Sequence, residues 1–180
     1  MNLSPEIEPF VIHFGEMGSH WGFNRTVGQM FALLVLSEDA LNADQLAESL
    51  GVSRGNVSMG LKELLSWRLI RTQPQPGDRK DYFRPNGSIW ELAMQVLSER
   101  RKREVDPTLS VLRSQLMRVE DGNNSFAHDK MQEIHDLLEL FIGWFDDIHR
   151  MNPENLKTLL KLGSGVGKVL DMKDRLLVKK

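Results

Sequence analysis

Arg54, Ser58 and Lys62 recur at four-residue intervals, with Ser53, Gly55, Asn56 and Met59 among them, and a second basic pair, Arg79-Lys80, follows downstream. On a helix, four-residue spacing brings side chains onto one face. That face would present a guanidinium, a hydroxyl and an ammonium beside an exposed methionine and small residues. An arginine can make a bidentate contact with guanine, and a serine can bond either type of base edge. A helix start capped by Ser53 also offers backbone N–H groups to a phosphate. Arg79 and Lys80 follow Pro76-Gly77-Asp78, and Gly77 permits a tight reversal. An arginine at such a tip can enter a minor groove, where a narrow groove strengthens the negative potential. Asp78 would repel phosphate, so its expected role is to orient a neighbouring arginine. Each set alone also reads as an ordinary solvated surface. Their order along the chain is what joins them.

The elements that would position these residues can be read from period and punctuation. Ala47, Gly51 and Val57 fall at relative positions five, nine and fifteen of a helix-turn-helix. Position five must be small where the second helix crosses, the turn needs backbone freedom, and Val57 anchors one helix to the other. Leu46, Leu50, Leu61 and Leu64 complete that small core. Asn42 with Gln45 reads as a capping box, and Ser53 caps a helix running to about Trp67. Leu69–Thr72 and Asp81–Arg84 then read as two strands around a turn-rich loop. Upstream, Ser4-Pro5 is expected to open a helix to about Met17, and Gly15, Gly18 and Gly22 to interrupt the chain as a loop. Asn24 caps a helix carrying Val27, Met30, Phe31, Leu34 and Val35. Downstream, Ser88 and Glu91 form a second capping box before Ile89, Leu92, Ala93, Val96 and Leu97. A break is expected near Asp106-Pro107, then a loop at Asp121–Asn124. Met131, Ile134, Leu138, Phe141, Phe145 and Ile148 step along one long helix. A last helix spans Asn155 to Leu162.

The chain of 180 residues carries a net charge of −2, unevenly spread. Residues 1–52 hold one basic and seven acidic residues, residues 53–118 thirteen and seven, and residues 119–180 nine and eleven. A basic centre between acidic flanks fits a small DNA-binding surface in a near-neutral protein, although clustering on solvated helices gives the same counts. The absence of cysteine excludes disulfides, zinc ribbons, iron–sulfur sites and a thiol nucleophile. With no basic-then-apolar leader at the start and no long apolar stretch, the expected location is cytoplasmic, with no membrane partner. The five histidines form no metal-binding spacing, and no serine or carboxylate pair is placed for catalysis. The expectation is therefore no enzyme activity, no metal and no cofactor. Gly163–Lys168 fails as a phosphate loop, having Leu162 and Val169 where that motif needs Gly and Ser or Thr. Arg100–Arg103 reads either as a strip skimming phosphates or as a solvated helix face supported by Glu99 and Glu104.

The stretch from Leu41 to Phe83, LNADQLAESLGVSRGNVSMGLKELLSWRLIRTQPQPGDRKDYF, resembles the winged helix-turn-helix of MarR-type transcription regulators. The preceding GEMGSHWGFNRTVGQMFALLVLSE resembles the GbsR-type branch. The resemblance implies a mainly α fold with a small β-hairpin wing. It divides the chain into an N-terminal dimerisation helix and loop (1–23), a winged domain (24–100) and a C-terminal helical dimerisation region (101–180). It implies a homodimer on a palindromic operator in double-stranded DNA, acting as a repressor relieved by a small molecule. By position it implies DNA contacts from Ser53, Arg54, Asn56, Ser58 and Lys62, and from the wing at Asp78, Arg79 and Lys80; the exposed Met59 joins that face. Some GbsR-type regulators sense choline or betaine, and a quaternary ammonium needs aromatic rings around it. The expected effector pocket is mostly apolar, with Trp21, Phe23 and Trp90 among its walls. The open alternative is a winged-helix module that binds proteins and has no use for a cationic groove face.

Overall fold

A computed structural model describes residues 2–118, 125–156, 158–159 and 161–163. The chain divides into two compact units, Met1–Pro107 and Thr108–Lys180. The described residues are mostly helical with one small antiparallel sheet. No described helix is long and apolar enough to cross a membrane.

In the first unit the order is α1 (Glu8–His20), α2 (Arg25–Leu36), β1 (Leu41–Asn42), α3 (Ala43–Leu50), α4 (Arg54–Ser66), β2 (Ile70–Pro74), β3 (Asp81–Pro85) and α5 (Ile89–Arg100). The caps lie where the side chains demand them. Asn24 Oδ1 accepts from the Val27 N–H at 3.0 Å, and Ser53 Oγ accepts from the Asn56 N–H at 3.3 Å. Both capping boxes form, Asn42 with Gln45 and Ser88 with Glu91. Gly51 ends α3 at φ +66°, the left-handed conformation that glycine adopts without steric cost.

Two expectations about the N-terminus are corrected. The α1 helix starts at Glu8, after a turn over residues 5–7, and Pro9 rather than Pro5 occupies its first turn. Gly15 and Gly18 do not break the chain but lie inside α1, where it crosses α2. A Cβ on Gly28 would stand 3.0 Å from the Phe14 carbonyl oxygen and 3.1 Å from Gly15 Cα. The helices are therefore held at backbone contact, and only Gly22 (φ +90°) is used for a turn.

The core of this unit gathers Val11, Val27, Met30 and Leu34 with Leu46, Val57, Leu61, Leu64, Trp67 and Leu69. It thereby joins α1 and α2 to the helix-turn-helix. The sheet has the order β1-β3-β2, with Leu41 and Thr72 both opposite Phe83. The third strand, β1, escapes a pattern reading because two residues cannot show a period.

Beyond α5 a π-helical turn, Arg101–Val105, runs into α6 (Asp106–Arg118). In the second unit α7 (Ser125–Arg150) is one unbroken helix, and Arg113 of α6 pairs with its Glu139. Ile134, Leu137, Leu140, Phe141 and Trp144 are exposed along α7. The expected loop at residues 121–124 and the glycine-rich stretch beyond residue 163 lie outside the described residues.

Candidate nucleic-acid interface

Helix α4 has two chemically opposed faces. Val57, Gly60, Leu61 and Leu64 are buried, while Ser53, Arg54, Gly55, Asn56, Ser58, Met59 and Lys62 are exposed. Met59 is 65% exposed, an apolar side chain that the interior does not need. The buried face is set at a close approach: a Cβ on Gly60 would collide with Met30 Cε. Burial on one side thus fixes which residues α4 shows on the other.

The β2–β3 hairpin stands beside this face. Its tip reverses through Gly77 at φ +85°. Asp78 builds that tip in a different way from the one expected. Its Oδ1 accepts the Lys80 N–H at 3.0 Å and its Oδ2 accepts the Tyr82 hydroxyl at 2.9 Å, so it shapes the turn rather than orienting an arginine. The Lys80 amide bond, and then the Tyr82 hydroxyl, hold the Asp78 carboxyl below its ordinary pKa.

Between α4 and the hairpin lies a cleft of about 510 Å³. Arg54, Ser58 and Lys62 line it from one side, Arg79 and Lys80 from the other. The structure brings these five expected residues into one depression; Ser53, Asn56 and Met59 are exposed on the same helix but are not among its lining residues. Lys62 and Arg79 form no ion pair with any described residue. Arg54 and Lys80 converge instead on a residue that sequence reasoning passed over. Asp44 lies 2.8 Å from Arg54 Nε and 3.2 Å from Lys80 Nζ. In sequence it is only an acidic residue in the first turn of a helix, where it complements the helix dipole.

Residues 21–81 match the family model described as the MarR family. Over that stretch the chain is similar to the winged helix-turn-helix of the MarR family. Over 85 residues, 47% of this chain, the sequence is 29% identical to the HTH-type transcriptional regulator MmpR5 of Mycobacterium tuberculosis, and the match spans about half (52%) of that relative's length. A crystal structure described as a transcriptional regulator superposes with a TM-score of 0.62 at 23% identity, over 80% of this chain and 95% of the other. That likeness establishes the fold, a MarR-like winged helix with a small antiparallel sheet.

Two other expected sites lie outside this cleft. The run Arg100–Arg103 is engaged locally. Arg100 pairs with Glu104, Arg101 with Asp106 and Lys102 with Glu99. The Arg103 guanidinium lies 4.2 Å from the centroid of the Trp67 ring, at the end of α4. The aromatic residues assigned to an effector pocket divide. Trp21 lines a largely apolar chamber of about 440 Å³ with Phe10, Phe14, Phe31, Ile89 and Arg100 among others. Phe23 is buried in the core against Trp67, with centroids 4.1 Å apart, and neither it nor the half-buried Trp90 is among the chamber's lining residues.

Proposed function

We propose that this chain is a homodimeric, sequence-specific DNA-binding transcription regulator of the GbsR type, acting as a repressor that a small molecule releases. The cleft between α4 and the hairpin carries the reading. It joins an exposed helix face able to read base edges to a basic hairpin tip able to reach backbone or minor groove. In this reading α4 enters the major groove. Arg54, Ser58 and Met59 meet base edges, while Ser53, Asn56, Lys62, Arg79 and Lys80 meet phosphates or the flanking minor groove. The reaction is binding alone, with no catalytic step, metal or cofactor.

Dimerisation is supported by the exposed apolar residues of α7, which a second copy would cover. With them we keep the expected division of labour: residues 1–23 and 101–180 serve assembly and residues 24–100 serve DNA. A two-fold protein reads two-fold DNA, so duplexes selected by the purified chain from a random pool should converge on an imperfect palindrome. Failure to enrich any sequence would favour the protein-binding alternative. Leu140→Glu, at an exposed site, should leave the fold intact and convert a sedimenting dimer to a monomer.

Release requires a ligand that binds one of two states better. The apolar chamber beside Trp21 is the proposed receptor. Its aromatic walls suit an apolar organic molecule. Choline or betaine would gain ring contacts there but would meet the Arg100 guanidinium. Quenching of tryptophan fluorescence with loss of operator binding, abolished in Trp21→Ala, is the expected mark of the true effector.

A further inference from the structure

Asp44 is the second residue of α3, and its place is fixed by the capping bond from its own N–H to Asn42 Oδ1 at 3.0 Å. One carboxylate oxygen then faces Arg54, the first residue of α4, and the other faces Lys80 at the hairpin tip. The three side chains are 41%, 72% and 53% exposed, respectively. Exposed ion pairs of this kind add little to folding stability. The elements they join are already held by the buried leucines of α3 and α4 and by the sheet ladder. The triad therefore calls for a role other than stability.

From this geometry we propose that Asp44 is a specificity-determining residue of the DNA-binding face, an inference that rests on the DNA-binding reading above. In the cleft the Asp44 carboxylate sits between two cations that would otherwise neutralise phosphate. Non-specific binding draws essentially all of its strength from such neutralisation. A carboxylate that competes for Arg54 and Lys80 weakens their neutralisation of phosphate on any duplex. It weakens correct binding less, because Arg54 is engaged through Nε, which leaves its two terminal nitrogens as the fork that guanine O6 and N7 accept. Asp44 thus suppresses the indiscriminate component and aims the discriminating one.

The test compares full-length wild type, Asp44→Asn and Asp81→Asn on two duplexes of equal length and composition. One is the sequence that wild type selects from a random pool, and the other is its scramble. Asp81 also lines the cleft, so its variant controls for the simple loss of a negative charge there. Asp44→Asn should tighten binding to the scrambled duplex about fivefold, the scale of one charge–charge contact in water. Its salt slope should steepen by about 0.9, one further counterion released. Binding to the selected duplex should improve less, so that the ratio of the two affinities falls. Asp81→Asn should leave that ratio close to wild type. If wild type discriminates and Asp44→Asn keeps the same ratio, or if Asp81→Asn lowers it equally, the role of Asp44 is overturned while DNA binding stands. If wild type binds neither duplex, the DNA-binding reading fails and this proposal with it.

Discussion

Two segments of this chain are rich in arginine and lysine, and they use those residues in opposite ways. In the run Arg100–Arg103 each cation has a partner within the fold: Glu104, Asp106, Glu99 and the Trp67 ring. In the cleft between α4 and the hairpin, Lys62 and Arg79 pair with no described residue, and Arg54 and Lys80 share one carboxylate. By sequence the run is the denser of the two. The local balance of charge, rather than the density of basic residues, separates a surface with unspent cationic potential from one already neutralised.

Breaking the cleft should have the largest effect. Arg54→Ala should cost about 1–3 kcal/mol of binding to the selected duplex and relax the base preference at one position of each half-site. A set of single-base operator variants, titrated by fluorescence anisotropy, measures both. Arg79→Ala should weaken binding nearly uniformly across sequences and lower the salt slope by about one, which repeating the titrations at several salt concentrations reads directly. Both variants should melt like wild type, since both residues are exposed.

The run should behave differently. Arg103→Ala should leave the salt slope of DNA binding unchanged and lower unfolding stability by about 0.5–1 kcal/mol through loss of the contact over Trp67, as chemical denaturation would show. A reduced salt slope would mean that the run does reach phosphate.

The smallest expected effect sharpens the comparison at the hairpin tip. The Asp78 carboxyl titrates below its ordinary value in the folded chain, chiefly because it accepts the Lys80 amide. Its contribution to tip order is therefore complete above the ordinary aspartate pKa and is lost as the pH falls through the lowered value. Protection of the Lys80 amide against hydrogen exchange should decline over that acid interval, and Asp78→Ala should remove the decline.

What could be read in the sequence followed a simple division. Features carried by neighbours a few residues apart were legible. The Asn24 and Ser53 caps, the boxes at Asn42 and Ser88, the turn at Gly51 and the inward face of Val57, Leu61 and Leu64 depend on helical geometry alone. Features made by residues distant in sequence were not. Asp44 meets Arg54 and Lys80 only because α3, α4 and the hairpin converge. Arg103 finds Trp67 across 36 positions of chain. Gly15 and Gly18 looked like breaks because glycine is a poor helix former. Their reason, the backbone of α2 pressed against them, is a tertiary fact. Phe23 looked like a ring free for a ligand, yet it closes the core beneath α4.

The central claim is that the α4–hairpin cleft is a surface for the DNA backbone and base edges. It is tested most directly by measuring affinity for one selected duplex across a range of salt concentrations, for wild type and for the double variant Lys62→Ala/Arg79→Ala. The account predicts that the logarithm of the affinity falls linearly with the logarithm of salt concentration in wild type, and that the slope is smaller by about two in the variant. A wild-type affinity insensitive to salt, or a variant slope equal to that of wild type, would contradict it.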